Sequence, residues 1–331
     1  MKCRQEYIDI AKGIGILLVV IGHLQLPITI RNIIYSFHMP LFFYLGGILY
    51  KNKNSIPWKK IQYLLFLYLI FGCFFISIIM LQKRYFDINL LYYFIQSNPV
   101  SIYNIKWFGV FWFILAYVLV LILQKIKIFS YIVINISIMA GLYYIQNTNI
   151  FDYILYLPLC IAPSMILLFF FNIGKSNDIL LKFYSFGTIT IVAVGFAILN
   201  ICNMYFYNGF ELKIINYGVL TFIPNFISTV LVALFGIAFI VYFSLFLSLK
   251  TNLISKCLQF FGKNSLSIFI WHMFLLSLLN LILKRFFIET QDYNPILIEF
   301  LKFALVLLIC FLFLFLYEKI KRIFIGKMYF M

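Results

Sequence analysis

The chain has 331 residues, of which 65% are hydrophobic and 21% aromatic but only 11% charged, and its mean hydropathy is +1.04. Such a chain has too little polar surface to stay in water as a soluble domain, so its class is an all-α, polytopic membrane helix bundle. The net charge of +16 would suit a nucleic-acid partner, but the basic residues sit at the ends of apolar runs with no polar domain to carry a binding face.

In chain order, apolar runs long enough to span a bilayer fall at 8–25, 35–50, 61–81, 107–124, 129–145, 152–171, 181–203, 219–248, 265–283 and 296–317, at about 20 residues per crossing. The run at 219–248 is too long for one straight crossing, and Pro224 predicts a kink or an interfacial lead-in. Pro158 and Pro163 predict a kink within the sixth run. The first run carries Asp9 and Lys12 near its start and no small-residue cleavage pattern after it, so it is expected to stay as a membrane helix. Lysines gather on one side of the alternating connections, among them Lys51, Lys53, Lys59, Lys60, Lys125, Lys250 and Lys263. The other side holds fewer, such as Arg31, Lys83 and Lys106. The positive-inside rule then puts both termini in the cytoplasm, in agreement with an even number of about ten crossings. The longest connection, around 82–106, is too short for a soluble domain, so residues 1–331 form one membrane domain. The six cysteines lie far apart with no C-x-x-C pair and read as small packing residues.

Ionisable side chains inside these runs are costly and call for a reason. Residues 9–23 read D-I-A-K-G-I-G-I-L-L-V-V-I-G-H, and at about 100° per residue Asp9, Lys12 and His23 project within about one third of the helix circumference. His23 reads either as an interfacial histidine at a helix end or as a catalytic base, since imidazole is readily poised to take a proton near neutral pH. Lys12 either snorkels to the inner headgroups or faces the bundle, where Asp9 at i−3 or an incoming anion would be its partner. Lys12 lies about 16 Å along the axis from His23, and Asp9 about 21 Å, too far to orient the imidazole. His38 opens the second run in H-M-P, either as the first residue of a helix or as a second histidine at the outer level of His23. Two imidazoles without Cys or carboxylate at ligand spacing fall short of a metal site.

The stretch F-G-K-N-S-L-S-I-F-I-W-H at 261–272 begins with a turn glycine, then Asn264 and Ser265 as a capping pair. Beside Lys263, that helix start would also receive a phosphate. Counted from there, His272 falls near mid-bilayer. Trp112 stands in the outer part of the fourth run, as a belt residue or as a wall of an acceptor pocket.

The opening D-I-A-K-G-I-G-I-L-L-V-V-I-G-H, followed by Y-S-F-H-M-P-L-F-F-Y-L-G-G, resembles the signature of the integral-membrane acyltransferase-3 superfamily, in particular its fucose 4-O-acetylase-like branch. Echoes follow in F-W-F-I-L-A at 111–116, F-F-F-N-I-G at 169–174 and F-G-K-N-S-L-S-I-F-I-W-H. The resemblance implies a ten-helix enzyme that takes an acyl group from cytoplasmic acyl-CoA, with acetyl-CoA favoured by family frequency, and places it on a sugar hydroxyl at the outer side. The family's basic-x₁₀-His motif maps to Lys12 and His23, with lysine where much of the superfamily has arginine. A second departure is Y-L-L-F-L-Y at 63–68, where relatives carry an arginine and a proline; Lys59 and Lys60, one turn earlier, are candidates for that charge.

Together these readings make His23 the base and His38 a second catalytic residue. Lys12, Lys59, Lys60, Lys263, Asn264 and Ser265 become the donor contacts, Trp112 and His272 the acceptor contacts, and Asp9 the charge partner. The expected partners are a glycan or lipid-linked sugar, membrane lipid and polysaccharide biosynthesis enzymes, at the cell membrane. A transporter or flippase of a glycan or lipid-linked intermediate is the rival reading, and an assembly subunit of an export complex is a third.

Overall fold

The computed structural model describes residues 2–50, 55–145, 157–176, 181–206, 215–216, 219–220, 226–250, 252–287 and 295–328. Apart from a two-residue antiparallel pairing of Ile215–Asn216 with Val219–Leu220, its regular structure is helical. The α-helices are α1 (Lys2–Gly22), α2 (Ile28–Tyr35), α3 (His38–Tyr50), α4 (Trp58–Lys83), α5 (Ile88–Gln96), α6 (Pro99–Tyr103) and α7 (Trp112–Leu123). They continue with α8 (Ile132–Ile145), α9 (Ile161–Lys175), α10 (Phe186–Phe206), α11 (Phe226–Ser248), α12 (Leu253–Lys263), α13 (Ser265–Phe287) and α14 (Pro295–Met328).

Among the described residues six segments are long and apolar enough to cross a membrane: Ile28–Tyr50, Trp58–Lys83, Pro158–Lys175, Ile227–Ser248, Ser265–Leu283 and Ile296–Leu314. Gly109–Leu123, Ile132–Leu142 and Phe186–Cys202 are shorter apolar helices. With α1 they account for the ten apolar runs. Helices close every backbone hydrogen bond within their own segment, which is what a bilayer demands. The protein is a polytopic helical membrane bundle.

Four features differ from the sequence reading. The second crossing is two helices, because Pro40 in the first turn of α3 has no N–H to continue a straight helix from α2. Pro158 lies in a 3-10 turn and Pro163 in the first turn of α9; Leu159 and Cys160 adopt positive φ of 59° and 57° there, so the prolines start this helix instead of kinking its middle. Residues 152–156 and Pro224 lie outside the described residues. An unpredicted amphipathic helix, α12, links α11 to α13, with the Asn252 side chain accepting the Ser255 N–H at 2.9 Å as its cap. Gly262 is inside that helix and not in a turn. Finally, Cys160 and Cys310 are buried, but Cys73 and Cys257 are exposed. Cys73 shares the outward face of α4 with Phe66, Ile70 and Phe74, which in a bilayer meets lipid.

Helix α1 is the hub, packed against α3, α11, α12 and α13. Its approach to α12 is backbone on backbone and antiparallel. A methyl group at Gly13 would fall on the carbonyl of Leu258, and one at Gly262 on the carbonyl of Asp9. Small residues let membrane helices approach this closely, and the contact clamps the inner half of α1. Helices α3 and α9 meet in the same manner through Gly47 and Gly174.

Candidate active site

Helix α1 ends at Gly22, and its last turns tighten: the His23 N–H bonds to Val20 O at 3.1 Å and the Leu24 N–H to Ile21 O at 3.1 Å. His23 therefore projects from a helix terminus into the space between α1, α2 and α13. Its ring centroid lies 5.2 Å from that of His272 and 6.2 Å from that of Tyr35, and Tyr35 in turn meets His38 at 5.0 Å. The Tyr35 hydroxyl donates to the Gly22 carbonyl at 3.1 Å, tying α2 to the end of α1.

The two other histidines are buried and fixed by backbone carbonyls. His38 Nδ1 lies 2.8 Å from Ile34 O and His272 Nδ1 2.7 Å from Phe269 O. A carbonyl oxygen only accepts, so each Nδ1 carries a proton, and in the neutral imidazole the lone pair then falls on Nε2. Among the described residues His272 Nε2 is buried with no hydrogen-bond partner. An imidazole lone pair held next to His23 is a ready acceptor for its N–H, the orienting role that a third group serves for a histidine base.

The depth expected for His272 is corrected by this contact. Ile16 of α1 and Ser265 of α13 line one cavity, and each histidine lies seven residues further along its helix. At about 1.5 Å per residue the two rings reach the same level. A count along α13 alone puts His272 below His23, but α12 sets the start of α13 beside α1 and brings the two rings together.

That cavity, of about 200 Å³, has Lys12, Lys60 and Ser265 among its lining, with Tyr117, Phe113, Met39 and Phe269 as apolar wall. Phe269 also meets the His272 ring at 5.8 Å. The cavity thus has two cations in its wall, and none of the three histidines lines it; Phe269 is the wall residue that touches His272. Lys12 is paired with Asp9 at 3.7 Å, the charge partnership expected from their spacing. Lys60 donates to the Tyr117 hydroxyl at 3.2 Å and stands over the Tyr117 and Tyr50 rings, 4.7 and 5.3 Å from their centroids. Lys12, Lys60 and Ser265 fit the anionic, hydroxyl-bonding end of a phosphate-bearing thioester, and the aromatic wall fits its arm.

Other predicted site residues fall elsewhere. Lys59 and Lys263 are exposed and do not line the cavity, although each adjoins a residue that shapes this region: Lys60 in one case, Gly262 against Asp9 in the other. The Asn264 side-chain amide donates back to Phe260 O at 2.9 Å, so it closes α12 and is not a side-chain cap for α13. Trp112 is buried with its ring against Phe113, and it is Phe113 that lines the cavity. Sequence reasoning missed Tyr35, Tyr117 and Phe269, which carry no signal in an aromatic-rich chain. It also missed Glu299 and Lys302, an opposite-charge i,i+3 pair inside an apolar run, which did carry one.

A multi-pass helical bundle with a cation-lined cavity and a histidine pair one ring contact beyond its wall defines a class of intramembrane catalyst or carrier. A family model described as an acyltransferase domain matches residues 5–315, nearly the whole chain, and the protein belongs to this acyltransferase-3 family of membrane acyltransferases. No curated protein and no solved structure matches the chain.

Proposed function

We propose that this protein is an acyl-CoA-dependent O-acyltransferase, most readily an acetyltransferase, that modifies a hydroxyl of a cell-surface or exopolysaccharide sugar, as its motifs liken it to the fucose 4-O-acetylase-like branch. The observation that carries the reading is the cavity lined by Lys12, Lys60 and Phe269, whose Phe269 touches the His272 ring, which in turn meets that of His23. Lys12, Lys60 and Ser265 face the anionic end of the donor, with Lys59 and Lys263 as outlying cations for its phosphates. His23 takes the proton from the acceptor hydroxyl as the oxygen attacks the thioester carbonyl, and returns it to the departing thiolate. His272 accepts the other N–H of His23 and keeps the imidazole aimed, while His38 holds Tyr35 against the end of α1. The acceptor, a glycan or lipid-linked sugar, meets this pair from the outer side of the cell membrane.

The test is transfer of label from acetyl-CoA to surface glycans in membranes with matched amounts of wild type, His23→Ala and Lys12→Ala. A general base contributes about 10²–10⁴-fold, so His23→Ala should reduce transfer by that factor. Lys12→Ala should recover at high acetyl-CoA. Undiminished transfer by His23→Ala would remove the catalytic role of that residue.

A further inference from the structure

The turn that carries His23 is held by a group on the far end of the chain. The Gln25 N–H, two residues past His23, has left the helical ladder of α1 and donates to Glu299 Oε2 of α14 at 3.0 Å. The other carboxylate oxygen of Glu299 accepts from Lys302 Nζ at 2.5 Å. Both side chains are more than nine-tenths buried. A buried ion pair adds little stability over an apolar pair of the same volume, so its presence in an apolar helix calls for another reason.

We infer that Glu299 is a positioning residue for His23: its carboxylate grips the Gln25 amide and fixes the turn from which the imidazole projects, and the bond from Lys302 holds that carboxylate in place. The inference rests on the proposed role of His23. Without the grip, the backbone bonds of the His23 and Leu24 amides are short-range, His23 N–H to Val20 O and Leu24 N–H to Ile21 O, and the ring contacts of His23 with Tyr35 and His272 are left to hold the imidazole. The ring of His23 could then rotate away from His272 while the lysine cavity kept its shape. Loss of the grip should therefore lower kcat and leave the donor KM alone.

Two neutral double variants separate positioning from folding, because neither leaves an unpaired buried charge. Glu299→Gln/Lys302→Met keeps an acceptor for the Gln25 amide, whereas Glu299→Met/Lys302→Met removes it at similar volume. Acetyl transfer is measured in membranes for both, beside wild type and His23→Ala, together with hydrogen exchange of the 22–26 segment in the purified proteins. The Gln/Met protein should stay close to wild type in both readouts. The Met/Met protein should lose about 10²-fold in kcat, the penalty of a misplacement near 1 Å, with KM for acetyl-CoA unchanged and faster exchange in 22–26. Equal kcat for the two doubles, with His23→Ala inactive, would overturn the inference, and so would a Met/Met loss that appears in KM. An active His23→Ala would instead bring down the catalytic reading of His23. The exchange arm would then decide alone whether Glu299 holds the turn, and unchanged exchange in Met/Met would overturn that too.

Discussion

Lys60 shows what a single residue contributes at the donor end. Its ammonium, inside an apolar cavity, has the Tyr117 hydroxyl and two aromatic faces as partners, a weak substitute for an anion. An incoming phosphate would displace these contacts with a charge-assisted bond worth about 1.5–3 kcal/mol. Lys60→Met should accordingly raise KM for acetyl-CoA by about 10-fold to 100-fold with kcat little changed, as initial-rate kinetics in membranes would read. Lys12→Met leaves Asp9 without its partner, so the fair comparison is Asp9→Asn/Lys12→Met, for which the same KM effect is expected. The sequence named Lys59 and Lys60 as equal candidates. Adjacent helical residues point about 100° apart, and only the packing of α4 against α7 turns one inward and the other out. Tyr63, where the resemblance leads one to expect arginine, is exposed, and the cation that lines the cavity is Lys60, three residues earlier.

At the scale of the element, the contact of α12 with α1 sets the inner half of the site. Because a side chain at Gly262 would meet the backbone of Asp9 and not a movable side chain, α12 must shift as a unit to admit one. Gly262→Val should cost at least the 1–3 kcal/mol typical of overpacking, about that much off the unfolding free energy in detergent, and should weaken donor binding by moving Ser265 and Lys12 apart. Gly141 in α8 is the control: among the described residues nothing lies within 4 Å of a Cβ there, so Gly141→Ala should raise stability by about 0.5–1 kcal/mol through helix propensity. The long apolar helices were legible because a bilayer leaves hydropathy almost no freedom. Helix α12 was not, because eleven residues with two lysines, a serine and a glutamine between two apolar runs read as a connection, and Gly262 as its turn. What made it a helix is tertiary: α1 offers a glycine groove to pack into.

At the scale of the whole molecule, the ten runs and their alternation were legible, and the alternation is what separates a cation end from a histidine end. Lys12, Lys60 and Ser265 share one cavity, while His23, His38 and His272 gather beyond it, as helices α1 and α13 running in one sense and α3 in the other require. Which helices stand next to α1 was not legible, since hydropathy says how deep a residue lies but not beside whom; hence the meeting of His272 and of Glu299 with the end of α1 emerged only from packing. The orientation of the whole follows from lysine placement, and Cys257 makes it testable. It is exposed on α12, which packs along the Asp9–Gly13 stretch at the cation end. In a protein whose other five cysteines are alanine, a membrane-impermeant maleimide should label Cys257 only after the membrane is opened. A Lys106→Cys reporter on the connection before α7, in a background without Cys257, should label in intact cells. Labelling of Cys257 from outside would put the mouth at Lys12 and Lys60 on the outer face, where no acyl-CoA pool exists to fill it, and the direction of transfer proposed above would have to be abandoned.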